Sequence, residues 1–181
     1  MGRRAVLVLT ALLPLALATP GRAEKVPAEV SVCFVPGEPC AAEIVAAIGA
    51  ARREVRVQAY GFSAAPILRA LAAARTRGVD VAVILDRSDE RRLCARAGSL
   101  LAAGVPVFID RVPGIAHNKI IVIDRRIVIG GSYNYTASAE RRNAENVTFI
   151  ESEPVAARFL ENWARRREAA EAEVGADSCE P

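Results

Sequence analysis

His117-Asn118-Lys119-Ile120-Ile121-Val122-Ile123-Asp124-Arg125-Arg126-Ile127-Val128-Ile129-Gly130-Gly131-Ser132-Tyr133-Asn134 reads as two short apolar strands separated by a charged turn. Side chains alternate across a strand, so His117 and Lys119 face one way and Asn118 the other. With Arg125-Arg126 as the tip of a hairpin, Asp124 pairs with Ile127, Lys119 with Ser132 and His117 with Asn134. That register gathers a histidine, a lysine, a serine and an asparagine on one face. Arg-Arg is not a favoured two-residue hairpin tip, and a three- or five-residue loop would shift the pairing.

Outward from this hairpin, apolar runs alternate with helical spacing. Strands are expected at residues 30–35, 55–60, 79–85, 105–109, 119–123, 127–129 and 146–150. Helices are expected at 41–53, where Ile44, Val45, Ile48 and Ala51 share a face, at 65–77 with Pro66 in the first turn, and at 90–103. A last helix, 155–172, carries Phe159, Leu160 and Trp163 on its apolar side. The βαβαβ rhythm of the first half predicts an α/β fold, a mixed β-sheet flanked by helices in an α+β sandwich.

Composition sets the surroundings. Met1-Gly2-Arg3-Arg4, an apolar stretch from Ala5 to Ala18 and the small-x-small end Gly21-Arg22-Ala23 resemble an export signal cleaved after Ala23. The apolar stretch falls short of the ~20 residues that cross a bilayer, though an uncleaved anchor is the rival reading. Residues 24–181 are then expected to form one domain, periplasmic or secreted, with no stable membrane span. The full chain has 24 basic and 21 acidic residues. Without Arg3, Arg4 and Arg22 the two signs balance, so net charge gives no argument for nucleic-acid binding. Cys33, Cys40, Cys94 and Cys179 would enter an oxidising compartment and allow three pairings. Cys33 and Cys40 are near enough to close a short loop. One histidine and no paired C-x-x-C spacing do not make a zinc site.

His117 is the sole histidine and Lys119 one of two lysines in a chain that otherwise uses arginine for positive charge. That pairing suits a phosphate diester. Imidazole serves as nucleophile, and a compact ammonium neutralises a non-bridging oxygen. Ser132 and Asn134 supply hydrogen bonds as charge builds in the transition state. Their bland reading is ordinary turn chemistry after Gly130-Gly131. Asp124, by strand parity, points away from His117 and is expected to hold hairpin backbone. Glu145, opening the 146–150 strand, is the better carboxylate candidate for orienting the imidazole.

The string His117-x-Lys119-x4-Asp124-x6-Gly131-Ser132-x-Asn134, with Asn143-Ala144-Glu145 downstream, resembles the signature of the phospholipase D superfamily. The likeness is to its small single-motif bacterial endonucleases, and it extends to Val57-Gln58-Ala59-Tyr60, Arg77-Gly78-Val79 and Asn162-Trp163. The resemblance implies a phospholipase D-like fold and phosphodiester cleavage through a phosphohistidine, without metal or other cofactor. His117, Lys119, Ser132, Asn134 and Glu145 fall on the family's active-site positions. Asp124 falls on its mainly supportive aspartate, and Gly131 is structural support. The expected substrate is DNA or RNA. The alternatives are a phosphatidylcholine-type lipid and, from another class, a non-catalytic exported binding domain. Arg141-Arg142 and Arg165-Arg166-Arg167 are candidate phosphate contacts, although such runs are usually solvated helix faces. Because family members with two motifs provide two histidines and this chain has one, a homodimer with a shared active site is expected.

Overall fold

The computed structural model describes residues 25–88 and 93–170, with backbone alone at 93–96. The export segment read over residues 1–23, the first residues of the helix read at 90–103, the Cys94 side chain and Cys179 lie outside the described residues. The elements run β1 (Glu29–Val35), α1 (Cys40–Ala50), β2 (Glu54–Ala59), α2 (Ala65–Thr76), β3 (Asp80–Asp86), α3 (Leu93–Ala102), β4 (Val107–Asp110), β5 (Lys119–Ile123), β6 (Ile127–Gly131), α4 (Ala137–Arg142), β7 (Glu145–Glu151) and α5 (Glu153–Ala169).

The seven strands form one sheet in the order β1-β7-β6-β5-β2-β3-β4. β2, β3 and β4 are parallel, and β1, β7, β6, β5 and β2 are joined antiparallel. The fold is therefore α/β with a mixed sheet, as the alternation of apolar runs predicts. Alternate residues divide its two faces. Val55, Val57, Ala59, Ile121, Ile123 and Ile129 meet the buried faces of α1, α2 and α3, including Ile44, Ile48, Ile67 and Leu71. On the other face, Val122 and Val128 pack under Ala156, Phe159 and Leu160 of α5, and Trp163 covers Ala82, Ile84 and Phe108. Each fully buried aliphatic side chain contributes about 1.5–3 kcal/mol relative to exposure. Trp163 also donates its indole N–H to the Val57 carbonyl at 2.9 Å, which ties α5 across the sheet.

Three readings of the sequence need correction. α1 stops at Ala50 rather than Arg53, because the N–H groups of Arg52, Arg53 and Glu54 bind the Asp124 carboxylate instead of helix carbonyls. The six-residue α4 was not expected. It is nucleated by Thr136, whose hydroxyl caps the Ala139 N–H at 3.1 Å. The hairpin loop has three residues, Asp124 to Arg126, so Ile123 pairs with Ile127 and Ile120 with Gly130. That slips the expected register by one. The turn is built with Asp124 at φ 52° and Arg125 at φ 60°, and Arg126 N–H closes it on Ile123 O at 3.0 Å. Cys33 and Cys40 form a disulfide that closes the short loop their spacing allowed; it joins β1 to the start of α1.

Candidate active site

At one end of the sheet β2 finishes beside the start of β5, and Ala59 is the partner of Lys119. β6 finishes opposite β7, with Gly131 against Val147, while Val35 faces Glu145. These strand ends and the loops leaving them carry most of the residues selected from the sequence.

Lys119 is buried, with 7% of its surface exposed, whereas His117 is exposed. The Lys119 ammonium donates to the His117 carbonyl at 2.8 Å and lies 5.3 Å from the centre of the Tyr60 ring. The same ring meets the His117 imidazole edge-on at 4.6 Å. Tyr60 is thus a platform under both groups: its π face attracts the ammonium, and its body fixes the imidazole plane. Burial lowers the Lys119 pKa, and the negative charge of Glu145 partly opposes that shift.

Glu145 joins the cluster from the β7 side. Its carboxylate accepts from the Ser132 hydroxyl at 2.5 Å and from the Asn143 amide at 2.8 Å. Ser132 in turn accepts the Asn146 N–H at 3.1 Å. No hydrogen bond between Glu145 and His117 is found among the described residues, so the expected direct orientation of the imidazole by Glu145 is not the contact made here.

The slipped register places neither Ser132 opposite Lys119 nor Asn134 opposite His117. They arrive by another route. Gly131 has φ +148°, and a Cβ there would stand 2.3 Å from the Asn146 carbonyl oxygen. Only glycine allows this close approach, after which the chain leaves the strand. Residues 132–136 then pack against the segment following β2: Ser63 and Ala64 donate to the Tyr135 carbonyl, both at 2.8 Å. Asn134 ends up against Gly61, where an added Cβ would lie 3.4 Å from its side chain. Its Oδ1 is buried and accepts no hydrogen bond among the described residues. Tyr133, between Ser132 and Asn134, is anchored by donating to Glu140 at 2.9 Å, and Glu140 also accepts the Ala41 N–H at 3.2 Å.

Asp124 sits at the opposite end of β5. Its carboxylate accepts from the backbone N–H groups of Arg52, Arg53 and Glu54 at 2.9, 2.7 and 3.0 Å. It binds backbone as expected, but that of the α1–β2 connection rather than of its own hairpin. Burial opposes ionisation of Asp124; the three N–H groups and the Arg53 charge outweigh it and hold the pKa below the ordinary carboxylate value.

Of the arginine candidates, Arg141 and Arg142 are exposed immediately before Asn143; Arg87, exposed after β3, was not among them. The 165–167 run is largely structural: Arg166 is paired with Asp110, and the Arg167 guanidinium lies 3.5 Å from the Phe108 ring centre. Tyr60, Asn143, Glu140 and Asp86, whose carboxylate accepts the Ala116 N–H next to His117 at 2.6 Å, were not among the expected site residues. A charge ending the apolar run of β3 was the available signal for Asp86.

Known proteins resemble this chain in sequence and in fold. The family described as "Cardiolipin synthase, PLD-like domain" matches residues 44–167. A phospholipase D of Rickettsia felis is 47% identical over 139 residues, covering 77% of this chain and 70% of that protein. Human mitochondrial cardiolipin hydrolase is 34% identical over 134 residues, 74% of this chain and 53% of its own length. Among solved structures, the phospholipase D family member Nuc from Salmonella typhimurium superposes with a TM-score of 0.76 at 33% identity, covering 82% of this chain and 99% of Nuc. The chain belongs to the phospholipase D superfamily. It is a phosphodiesterase of that superfamily, with the sheet and flanking helices that Nuc shares.

Proposed function

We propose that the protein is an exported endonuclease that cleaves DNA or RNA phosphodiesters without a metal, using His117 as nucleophile. The observation that carries this reading is the arrangement on Tyr60: the only imidazole in the chain is exposed, and a buried ammonium stands beside it. An imidazole nitrogen attacks phosphorus and the bond to the leaving oxygen breaks, giving a phosphohistidine. The leaving oxygen takes a proton from a second group. That group then removes a proton from water, which attacks phosphorus and frees His117. Lys119 neutralises a non-bridging oxygen; the Asn134 amide N–H₂, and Ser132 once its O–H turns from Glu145, donate to the oxygens as charge develops. Glu145, with Asn143, holds Ser132 and balances Lys119. Asp124 and Gly131 are structural: Asp124 holds the α1–β2 connection, and Gly131 lets the chain leave β6.

The second proton-transfer group is the partner subunit's His117 in a symmetric homodimer with a shared active site. Within one chain the rival acid is Glu145, but both its oxygens are engaged by Ser132 and Asn143. Mixing active protein with excess His117→Ala should therefore depress activity below simple dilution; strict dilution behaviour at concentrations where only monomer sediments would rule the shared site out.

Exposed Arg87, Arg141 and Arg142 at this end of the sheet fit contacts along a nucleic-acid backbone. A second reading, release of a phospholipid head group, is favoured by exposed Phe34 and Ile115 at the same end and by the phospholipase D name of the Rickettsia felis relative. The deciding experiment incubates purified protein, with chelator, against plasmid DNA, RNA and labelled phosphatidylcholine vesicles in parallel. Nucleic-acid cleavage without lipid turnover is expected. The reverse pattern would select the lipid, and activity that requires an added divalent ion would overturn the metal-free mechanism.

A further inference from the structure

β3 and β4 end side by side on Asp86 and Asp110, which are register partners and both buried, at 1% and 0% exposure. Each carboxylate reaches into the connection that leads to His117. Asp110 accepts the Val112 N–H at 3.0 Å and is ion-paired with Arg166 of α5, whose Nε donates to it at 2.7 Å. Asp86 accepts the Ser88 N–H on one oxygen at 2.8 Å and the Ala116 N–H on the other at 2.6 Å. The first aspartate thus fixes where the connection begins, and the second fixes where it ends, one residue before His117. Between these two tethers Pro113, Gly114 and Ile115 are exposed. On the far side of His117, Tyr60 N–H holds the Asn118 carbonyl at 2.8 Å.

We propose that Asp86 is a positioning residue for His117: its carboxylate pins the peptide before the histidine, so that the imidazole is held against Tyr60. The proposal rests on the reading of His117 as nucleophile. A carboxylate is suited to this place because it accepts from two N–H groups at once, whereas an amide would turn its own N–H₂ toward one of them. The bond is charge-assisted and buried, the setting in which a hydrogen bond is strongest and its loss most costly. Burial alone would raise the Asp86 pKa, but the Ser88 hydroxyl, the Ala116 and Ser88 N–H groups and the charge of Arg87 outweigh it and lower it. Charge at this position is therefore stabilised by the groups it holds. Displacing a nucleophile by a fraction of an ångström to an ångström is enough to slow displacement at phosphorus markedly.

The chain offers a clean reporter, because His117 is its only histidine and its imidazole NMR signals are unambiguous. Asp86→Asn is expected to lower kcat by about 10- to 100-fold with KM within about twofold, and to shift or broaden the imidazole signals. Asp124→Asn removes a comparable backbone-binding carboxylate from the opposite end of the sheet, and should lower Tm while leaving kcat and the imidazole signals unchanged. Ser88→Ala weakens the hold on Asp86 at an exposed position and should move the same signals in the same direction by a smaller amount. That variant answers the question even where Asp86→Asn does not fold. Wild-type imidazole signals in every folded variant of this pair would overturn the proposal, as would Asp86→Asn with wild-type kcat. If instead His117→Ala kept full activity, the nucleophile assignment would fall, while the signal shifts would still report whether Asp86 holds the ring.

Discussion

At its Asp124 end, β5 meets a carboxylate that accepts three backbone N–H groups; at its Lys119 end it meets groups whose capacity is only partly used. Among the described residues the ammonium there has one hydrogen bond and a ring beneath it, the imidazole is exposed, and Asn134 Oδ1 is buried without a donor. Both ends belong to one strand, and both carry ionisable side chains. What differs is satisfaction. A saturated polar group serves architecture, because each partner it already holds is one it cannot offer to a substrate. An unsaturated one costs stability until something binds, which is how strain and polar frustration come to be concentrated at functional sites.

The largest expected contrast is in activity. His117→Ala should reduce turnover on the order of 10⁴-fold, since a nucleophile is lost outright. Lys119→Ala should cost about a hundredfold, the scale of one preorganised charge on the transition state. Neither should lower Tm appreciably. A His117→Ala protein that retains a tenth of the activity would end the comparison, because the unsaturated end would then not be the reacting one.

Lys119→Met sharpens it through stability. Burial depresses the Lys119 pKa, so the folded state holds the protonated lysine less willingly than the unfolded chain does. The sign follows: at every pH below the folded pKa the charged lysine subtracts from stability, and this penalty fades as pH rises through that value toward the unfolded one. Methionine keeps the length and discards the charge. The variant should therefore be about a hundredfold less active yet more stable at neutral pH, on the order of 1 kcal/mol, with an advantage that shrinks in alkaline buffer. Urea titrations at neutral and alkaline pH measure it, and a clear loss of stability at neutral pH would show that the ammonium is a structural group after all.

At the other end the sign reverses. Asp124→Asn leaves one carbonyl oxygen for three N–H donors and should cost about 2 kcal/mol while activity is kept. The folded pKa of Asp124 is depressed, so its stabilisation is full above the unfolded value and is lost as pH falls through the folded one. The gap in Tm between wild type and Asp124→Asn should therefore close below about pH 4. A gap that stays constant into acid would mean that something other than the charged carboxylate is responsible.

These two ends were not equally legible in the sequence. The chemistry of the Lys119 end was, because a single histidine two residues from one of two lysines stands out in a chain with so many arginines. The strand alternation was legible too, and β5 runs from Lys119 to Ile123 as expected. The route by which Ser132 and Asn134 reach the site was hidden. Periodicity of two holds only while the chain remains a strand, and it ends at Gly131, where the backbone takes a conformation that parity cannot anticipate. The register slipped for a related reason: Arg125-Arg126 does not specify a turn type, so two- and three-residue loops were open alternatives. Tyr60, Asp86 and Glu140 act across 57, 30 and 99 residues of sequence in part or in whole, and no local pattern announces a partner that distant. α4 was missed because six residues carry too little periodicity to read.

The smallest expected effect lies in the turn that produced the slip. Arg125 adopts φ 60°, a left-handed conformation that costs a residue with a Cβ roughly 1–2 kcal/mol. Glycine would remove that cost, although it gives back part of the gain through the greater freedom of the unfolded chain. The Arg125 side chain contributes little in return: its contact with Glu54 is 3.5 Å long and Arg125 is exposed, the kind of ion pair worth about 0–1 kcal/mol. Arg125→Gly should therefore stabilise the fold by about 0.5 kcal/mol and leave turnover unchanged. Asp124, at φ 52°, shares the same backbone strain but should not tolerate glycine, because its carboxylate is the group that organises the α1–β2 connection. Paired urea titrations of the two glycine variants test this. Equal responses at 124 and 125 would show that backbone conformation alone governs this end of the sheet, and that the carboxylate's three hydrogen bonds contribute nothing measurable.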